Sequence, residues 1–315
     1  MTNIRYVIKT IGILSLGLGA LAAPSVASAD GEVGAVYADM ERTVGFVPSF
    51  IRAMPDNLVP GVWEEVRGFE LNPKTALPPK TKDLIGLAIA AQMPSRLTAW
   101  SYAKCAKASG ATEAQVKEAV AIAALARHWS TFFNGMQLDE GQFRAEIAKL
   151  RESITKGMAS GSPPPAPLAI TNADSVLRDA QQSFGFVPEF LRRFPPEALP
   201  GAWLSFRNVE INPRTALSCK DKSLIGLAVA AQIPCRYCVI ADSEIAKLRG
   251  ASDREIAEAV ASGSMARQYI TLVEGLQLDE KSYRRDWERL TSRPAPRVQK
   301  EATAGSSSRM AAQAQ

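Results

Sequence analysis

Two cysteines separated by two residues, in Pro234-Cys235-Arg236-Tyr237-Cys238, have the type and spacing that redox chemistry needs. On the first turn of a helix such thiols lie close enough to close a disulfide, or to exchange protons and electrons with a peroxide or a dithiol. Asp242 sits one turn beyond Cys238 and places a carboxyl near the second thiol. Three plainer readings compete. A purely structural bridge across so short a loop removes only about 2 kcal/mol of chain entropy. Half of a zinc site would need a second ligand pair, yet there is no second C-x-x-C, and the single histidine, His128, is distant in sequence. Two buried cysteines with no joint role are the third. A working redox pair is the reading that gives both sulfurs a task.

The elements that must position this pair are helices. Alternating β-branched runs bounded by hairpin turns are almost absent, whereas apolar residues recur at three and four along Val116, Val120, Ala123 and Ala124, and again along Ile256 and Val260. Thr112-Glu113-Ala114-Gln115 and Ser252-Asp253-Arg254-Glu255 read as capping boxes that open long helices, and Gly110 and Gly250 close the helices before them. Upstream, a helix from about Lys82 or Lys222 is broken at Pro94 or Pro234, and a second begins at Ser95 or Cys235. That break puts residues 235 and 238 at a helix N-terminus, whose free amides favour thiolate over thiol. Asp139 and Asp279 are expected to cap a final helix.

Shifted by 140 positions the chain matches itself, residues 31 to 150 aligning with 171 to 290 without a gap. Gly45-Phe46-Val47-Pro48 recurs as Gly185-Phe186-Val187-Pro188, and Leu84-Ile85-Gly86-Leu87-Ala88 as Leu224-Ile225-Gly226-Leu227-Ala228. A period of this length means a duplicated domain rather than a solenoid. The expected organisation is a targeting segment over 1–29, a first helical repeat over 30–155, a Pro/Ser/Gly-rich linker over 156–170, a second repeat over 171–291 and a disordered tail over 292–315. Arg5 and Lys9, the apolar run from Ile11 to Ala23, and Ala27-Ser28-Ala29 compose the targeting segment, which implies a periplasmic or secreted, disulfide-permissive setting. The run is too short and glycine-broken to span a membrane comfortably, so no span is expected after its removal. Without Arg5 and Lys9 the formal charge falls from +5 to +3, with acids and bases interspersed, which argues against nucleic acid as a partner.

These residues resemble the carboxymuconolactone decarboxylase family, which includes alkylhydroperoxidase D-type thiol peroxidases. The most specific part of the resemblance is Lys222-Ser223-Leu224-Ile225-Gly226-Leu227-Ala228-Val229-Ala230-Ala231 leading into Cys235-Arg236-Tyr237-Cys238. It implies an all-α fold, two tandem copies forming a pseudo-dimer with further oligomerisation, no cofactor or metal, a small hydroperoxide substrate and an external dithiol reductant. It also implies that Cys238 attacks and Cys235 resolves, although helix geometry alone favours Cys235 as the thiolate. The family's relay places a glutamate twelve residues before the first cysteine and a histidine four after the second. Those positions here hold Ser223 and Asp242, so Asp242 is the substitute proton carrier, and Arg236 or Lys222 would have to help the helix N-terminus favour thiolate. In the first copy Ser95 and Thr98 replace the cysteines, flanked by Asp83 and Tyr102. That copy is expected to be redox-silent, completing a pseudo-symmetric assembly or walling the other copy's pocket.

Two rival functions remain: a cofactor-free decarboxylase or isomerase of small lactone acids, needing a cationic carboxylate clamp, and a non-catalytic assembly or binding module. Of the other residues, His128 reads as a hydrogen-bonded structural imidazole, Trp63 and Trp203 as core or interface aromatics, and Cys105 as inert packing. Cys219 is placed in the loop before the pre-motif helix, and Glu70 and Glu210 with Arg127 and Arg267 are expected by default to pair inside each copy, the alternative being that they line its pocket.

Overall fold

The structure is a computed structural model that describes residues 26–93, 95–160 and 165–292. Most of the targeting segment, Pro94, part of the linker and the tail beyond Ser292 lie outside the described residues. The Ala27-Ser28-Ala29 triplet falls in the first turn of the first helix.

The first copy comprises α1 (Val26–Val44), α2 (Ser49–Arg52), α3 (Val59–Glu65) continuing into a π turn (Val66–Glu70), α4 (Pro79–Gln92), α5 (Arg96–Ala108), α6 (Glu113–Gly135) and α7 (Glu140–Ser160). The second repeats it as α8 (Ala173–Phe184), α9 (Glu189–Arg193), α10 (Leu199–Phe206) with its π turn (Arg207–Ile211), α11 (Cys219–Gln232), α12 (Arg236–Leu248), α13 (Asp253–Gly275) and α14 (Glu280–Thr291). The described residues are helical, with no strand. Both capping boxes form, with Thr112 and Ser252 accepting from the amides of Gln115 and Glu255. Asp279 caps α14 through Ser282 N at 2.8 Å, and Asp139 accepts from Gln142 N at 2.6 Å. Two boundaries differ from expectation. Helix α7 runs on to Ser160, past the expected repeat end at 155, supported by a Glu152–Lys156 ion pair one turn apart. Helix α11 opens at Cys219, because Ser218 Oγ accepts from Asp221 N at 3.1 Å and caps it there, so Cys219 is helical rather than in a loop.

Helices α4 and α11 are apolar on nearly every side because they sit at the centre, packed on each other and flanked by α6 and α13. Thr81 Oγ1 donates to Asp221 Oδ1 at 3.2 Å, joining the two halves near their pseudo-symmetry axis. One continuous core therefore includes Leu84, Ile85 and Ala88 of the first copy with Leu224, Ile225 and Ala228 of the second. The ends of the copies are exchanged as well. Trp129, Phe133, Leu138 and Phe143 pack among Val176, Leu191, Leu199 and Trp203, while Val273 and Tyr283 pack among Met40, Phe50, Ile51 and Val59. Carboxylates secure both exchanges: Asp286 accepts from Ser49 N at 2.6 Å, and Glu146, 140 positions earlier, accepts from Glu189 N at 3.1 Å. Each half completes the other's core, so the duplicated chain is its own pseudo-dimer. Trp63 and Trp203 are buried, as expected of core aromatics, and donate their indole N–H groups to Asp39 and Asp179, each at 2.7 Å.

Candidate active site

Cys235 is the N-cap of α12, and its Sγ accepts from Cys238 N at 3.3 Å. The two cysteines are joined by a disulfide with their Cα atoms 5.4 Å apart. The spacing explains both facts, because a cap and the residue three further on share the opening turn. Access is unequal: Cys235 is fully buried, whereas Cys238 keeps 7% of its surface. The pair is thus nearly closed off, Cys238 being the less completely buried of the two residues.

Asp242 follows one turn later on α12, and its carboxyl lies against the bare Cα of Gly226 on α11. A methyl group at 226 would meet Asp242 Oδ2 at 3.1 Å, so glycine permits this close approach. Desolvation, and then the charge of Glu210, hold the Asp242 carboxyl well above the usual carboxylate range. Glu210 lies on the π turn after α10, an irregular turn of the kind often found at functional sites. Desolvation drives its carboxyl up to about 7, opposed by Lys222 and reinforced by Glu118. Lys222 is buried and donates to Val209 O in the π turn at 2.6 Å and to Asn212 O at its C-cap at 2.7 Å. Glu118 reaches in from the first copy, its Oε1 3.3 Å from Lys222 Nζ.

The first copy walls this site. Tyr237 OH donates to Leu138 O at 2.6 Å, its ring lies 5.3 Å from Phe143 and 6.1 Å from Phe133, and Arg236 pairs with Glu140 at the rim. Some expectations are corrected. Arg236 and Lys222 are engaged by Glu140 and by the π-turn carbonyls, which leaves the helix N-terminus as the electropositive feature at the sulfurs. Ser223 Oγ donates to Cys219 O at 3.0 Å within its own helix. The cation beside Glu210 is Lys222 rather than Arg267, whose guanidinium rests on Met93 Sδ in the other copy; Lys82 likewise stands beside Glu70. His128 packs edge-to-face on Trp129 at 5.0 Å and tilted on Phe194 at 5.7 Å, an aromatic contact across the two copies. Cys105 is partly buried, and desolvation pushes its thiol well above the ordinary range, consistent with inert packing.

In the first copy Ser95 Oγ accepts from Thr98 N at 3.3 Å, so hydroxyls reproduce the cap without the redox function. Tyr102 occupies the place of Asp242, its ring over Gly86. Asp83 stands where the resemblance has a glutamate and accepts from Ser109 Oγ at 2.6 Å. Desolvation carries its carboxyl to about 7, with Glu70 adding to the rise and Ser109 and Lys82 opposing it. Its folded value therefore lies above the unfolded one. The stability it contributes is complete below about pH 4 and is lost as pH rises through 7. Asp83→Asn, which cannot ionise, is expected to match the wild type near pH 4 and to exceed it by up to about 4 kcal/mol above pH 8. Urea unfolding at both pH values measures the difference.

The sequence reading did not bring Glu210 and Asp242 together and did not single out Glu118. A signal for Glu118 existed in its repetition as Glu258 at the same 140-residue offset. The model of the carboxymuconolactone decarboxylase family matches residues 58–140 and 197–280, one match in each copy. No match was found among curated proteins or among solved structures.

Proposed function

The chain belongs to the carboxymuconolactone decarboxylase family in both of its halves, and on that basis we propose that it is an exported thiol-dependent peroxidase or disulfide oxidoreductase. In this reading Cys238 and Cys235 reduce small hydroperoxides, and an external dithiol restores them. The observation that carries it is the bonded Cys235–Cys238 pair at the opening of α12, one turn from a carboxyl that desolvation holds well above the usual carboxylate range.

The Cys238 thiolate attacks the distal oxygen of the hydroperoxide. The O–O bond breaks, a Cys238 sulfenic acid forms, and the leaving alkoxide takes a proton from Asp242 to become alcohol. Cys235 then displaces water from the sulfenic acid to give the disulfide. The dithiol attacks the Cys238 sulfur and expels Cys235 as a thiolate, which the amide of Cys238 stabilises at 3.3 Å; a second exchange releases the oxidised dithiol. The desolvation that favours the neutral form of Asp242 also eases a difficulty, since an ionised aspartate one turn away would raise the thiol's pKa. The engagement of Lys222 and Arg236 favours thiol chemistry over the decarboxylase reading, which requires a free cation to clamp a carboxylate.

A thiol titration of the reduced mature chain, before and after stoichiometric hydroperoxide, tests this. With four cysteines, loss of two thiols is expected, Cys105 and Cys219 remaining. No loss would leave the assembly module as the better reading.

A further inference from the structure

The two residues between the cysteines both reach the other copy. Tyr237 OH donates to Leu138 O at 2.6 Å and Arg236 pairs with Glu140, which fastens the opening turn of α12 to the corner between α6 and α7. A third contact from the same copy ends there, Arg193 donating to Met136 O at 3.0 Å. The pseudo-symmetric corner between α13 and α14 lacks this grip. The counterparts of Arg193 and Tyr237 are Ala53 and Leu97, which carry no side-chain donor. Glu280 pairs with Arg284 on its own helix, and among the described residues no ion pair joins it to Arg96. Helix α5 is tied instead through Ser101, in its second turn, to Tyr283. A polar anchor on the first turn of the motif helix therefore occurs in the half that carries the thiols and not in the half that lost them.

We propose that Tyr237 is a positioning residue of the Cys235/Cys238 couple: its bond to Leu138 O keeps the opening turn closed in the dithiol state, and so favours the disulfide. A disulfide between residues three apart requires the closed turn, so the oxidised chain has a single arrangement there. After reduction the sulfurs no longer hold that turn, and helix ends are where fraying starts. A tether made in the closed form alone raises the closed fraction of the dithiol, and the apparent oxidation constant scales with that fraction. The tether has a firm base, because the Tyr237 ring lies 5.3 Å from Phe143 of the same partner copy. On oxidation Cys235 and Cys238 give up two electrons and two protons as the sulfur–sulfur bond forms; glutathione disulfide, used as the oxidant, takes both and leaves as two thiols. This role of Tyr237 rests on the thiol-couple part of the proposed function and not on hydroperoxide as the oxidant.

The full chain is equilibrated in glutathione buffers of graded ratio, and after alkylation the oxidised fraction of the peptide holding Cys235 and Cys238 is read by mass. Tyr237→Phe keeps the ring and loses the hydroxyl. Its oxidation constant is expected to fall about fivefold, a rise of about 20 mV in reduction potential. Amide hydrogen exchange gives a second reading. In the reduced chain Tyr237→Phe should speed exchange at Cys238 and Val239, whose amides point back to Cys235, while the oxidised chain exchanges as the wild type does. Tyr283→Phe removes the phenol that ties the other half and should leave the oxidation constant unchanged. An unchanged constant in Tyr237→Phe, or an equal fall in Tyr283→Phe, overturns the proposal. Faster exchange in both redox states also overturns it, since that marks lost packing rather than a tether on the dithiol. A chain with a measurable constant and no hydroperoxide turnover would defeat the peroxidase reading and leave this role of Tyr237 standing.

Discussion

Cys238→Ser is expected to abolish hydroperoxide turnover, lowering kcat/KM by at least about a thousandfold, because serine cannot form the sulfur–oxygen intermediate. Cys235→Ser should behave differently. Its remaining Cys238 is the less buried of the two cysteines, so one equivalent of hydroperoxide is consumed, a sulfenic acid accumulates and the cycle stops there. Trapping that acid with dimedone and weighing the protein distinguishes the two variants. The natural Ser95/Thr98 pair shows that hydroxyls can close the same helix turn, so loss of activity in the serine variants would not stem from a lost cap. If instead Cys235→Ser yielded no adduct and Cys238→Ser did, the order of attack would be the reverse, with substrate entering from the buried side.

Asp242→Asn carries the second large effect. An amide of the same shape packs on Gly226 but has no proton to give at the required strength, so kcat should fall by about a hundredfold. The alkaline fall in rate should go with it, since that limb reports a carboxyl pair losing its last proton. Glu210→Gln should cost less in rate, because Asp242 keeps its own proton while losing the neighbour that resupplies it. Burst measurements at limiting hydroperoxide, where reduction by the dithiol does not set the rate, provide the comparison. Unchanged kcat in Asp242→Asn would remove the aspartate from proton transfer and place that task on solvent reaching Cys238.

The pair of predictions depends on how the two halves meet, and their meeting is unusually complete. Helix α12 is held by Tyr237 on Leu138 and by Arg236 on Glu140, and α5 is held from the other side by Ser101 Oγ against Tyr283 OH at 2.8 Å. Neither copy closes its own motif helix. Loss of the thiols from one copy therefore removes a reaction centre without removing the scaffold of the other, and the retained polar contacts account for the survival of both sequences side by side.

Local features were legible in the sequence because they depend on residues three or four apart. Cys235 as an N-cap, the capping boxes at Thr112 and Ser252, the duplication and the all-α fold all follow from short-range spacing or from direct self-comparison. Only the tertiary structure decided that Cys235 and Cys238 are both buried, that the Asp242 carboxyl packs on Gly226, that Lys222 serves the π turn, and that Glu118 enters from the opposite copy. The physical reason is separation along the chain: Glu118 and Lys222 lie about a hundred residues apart and meet only because α4 and α11 pack at a shared centre. Burial there, rather than residue type, sets which carboxyls hold protons.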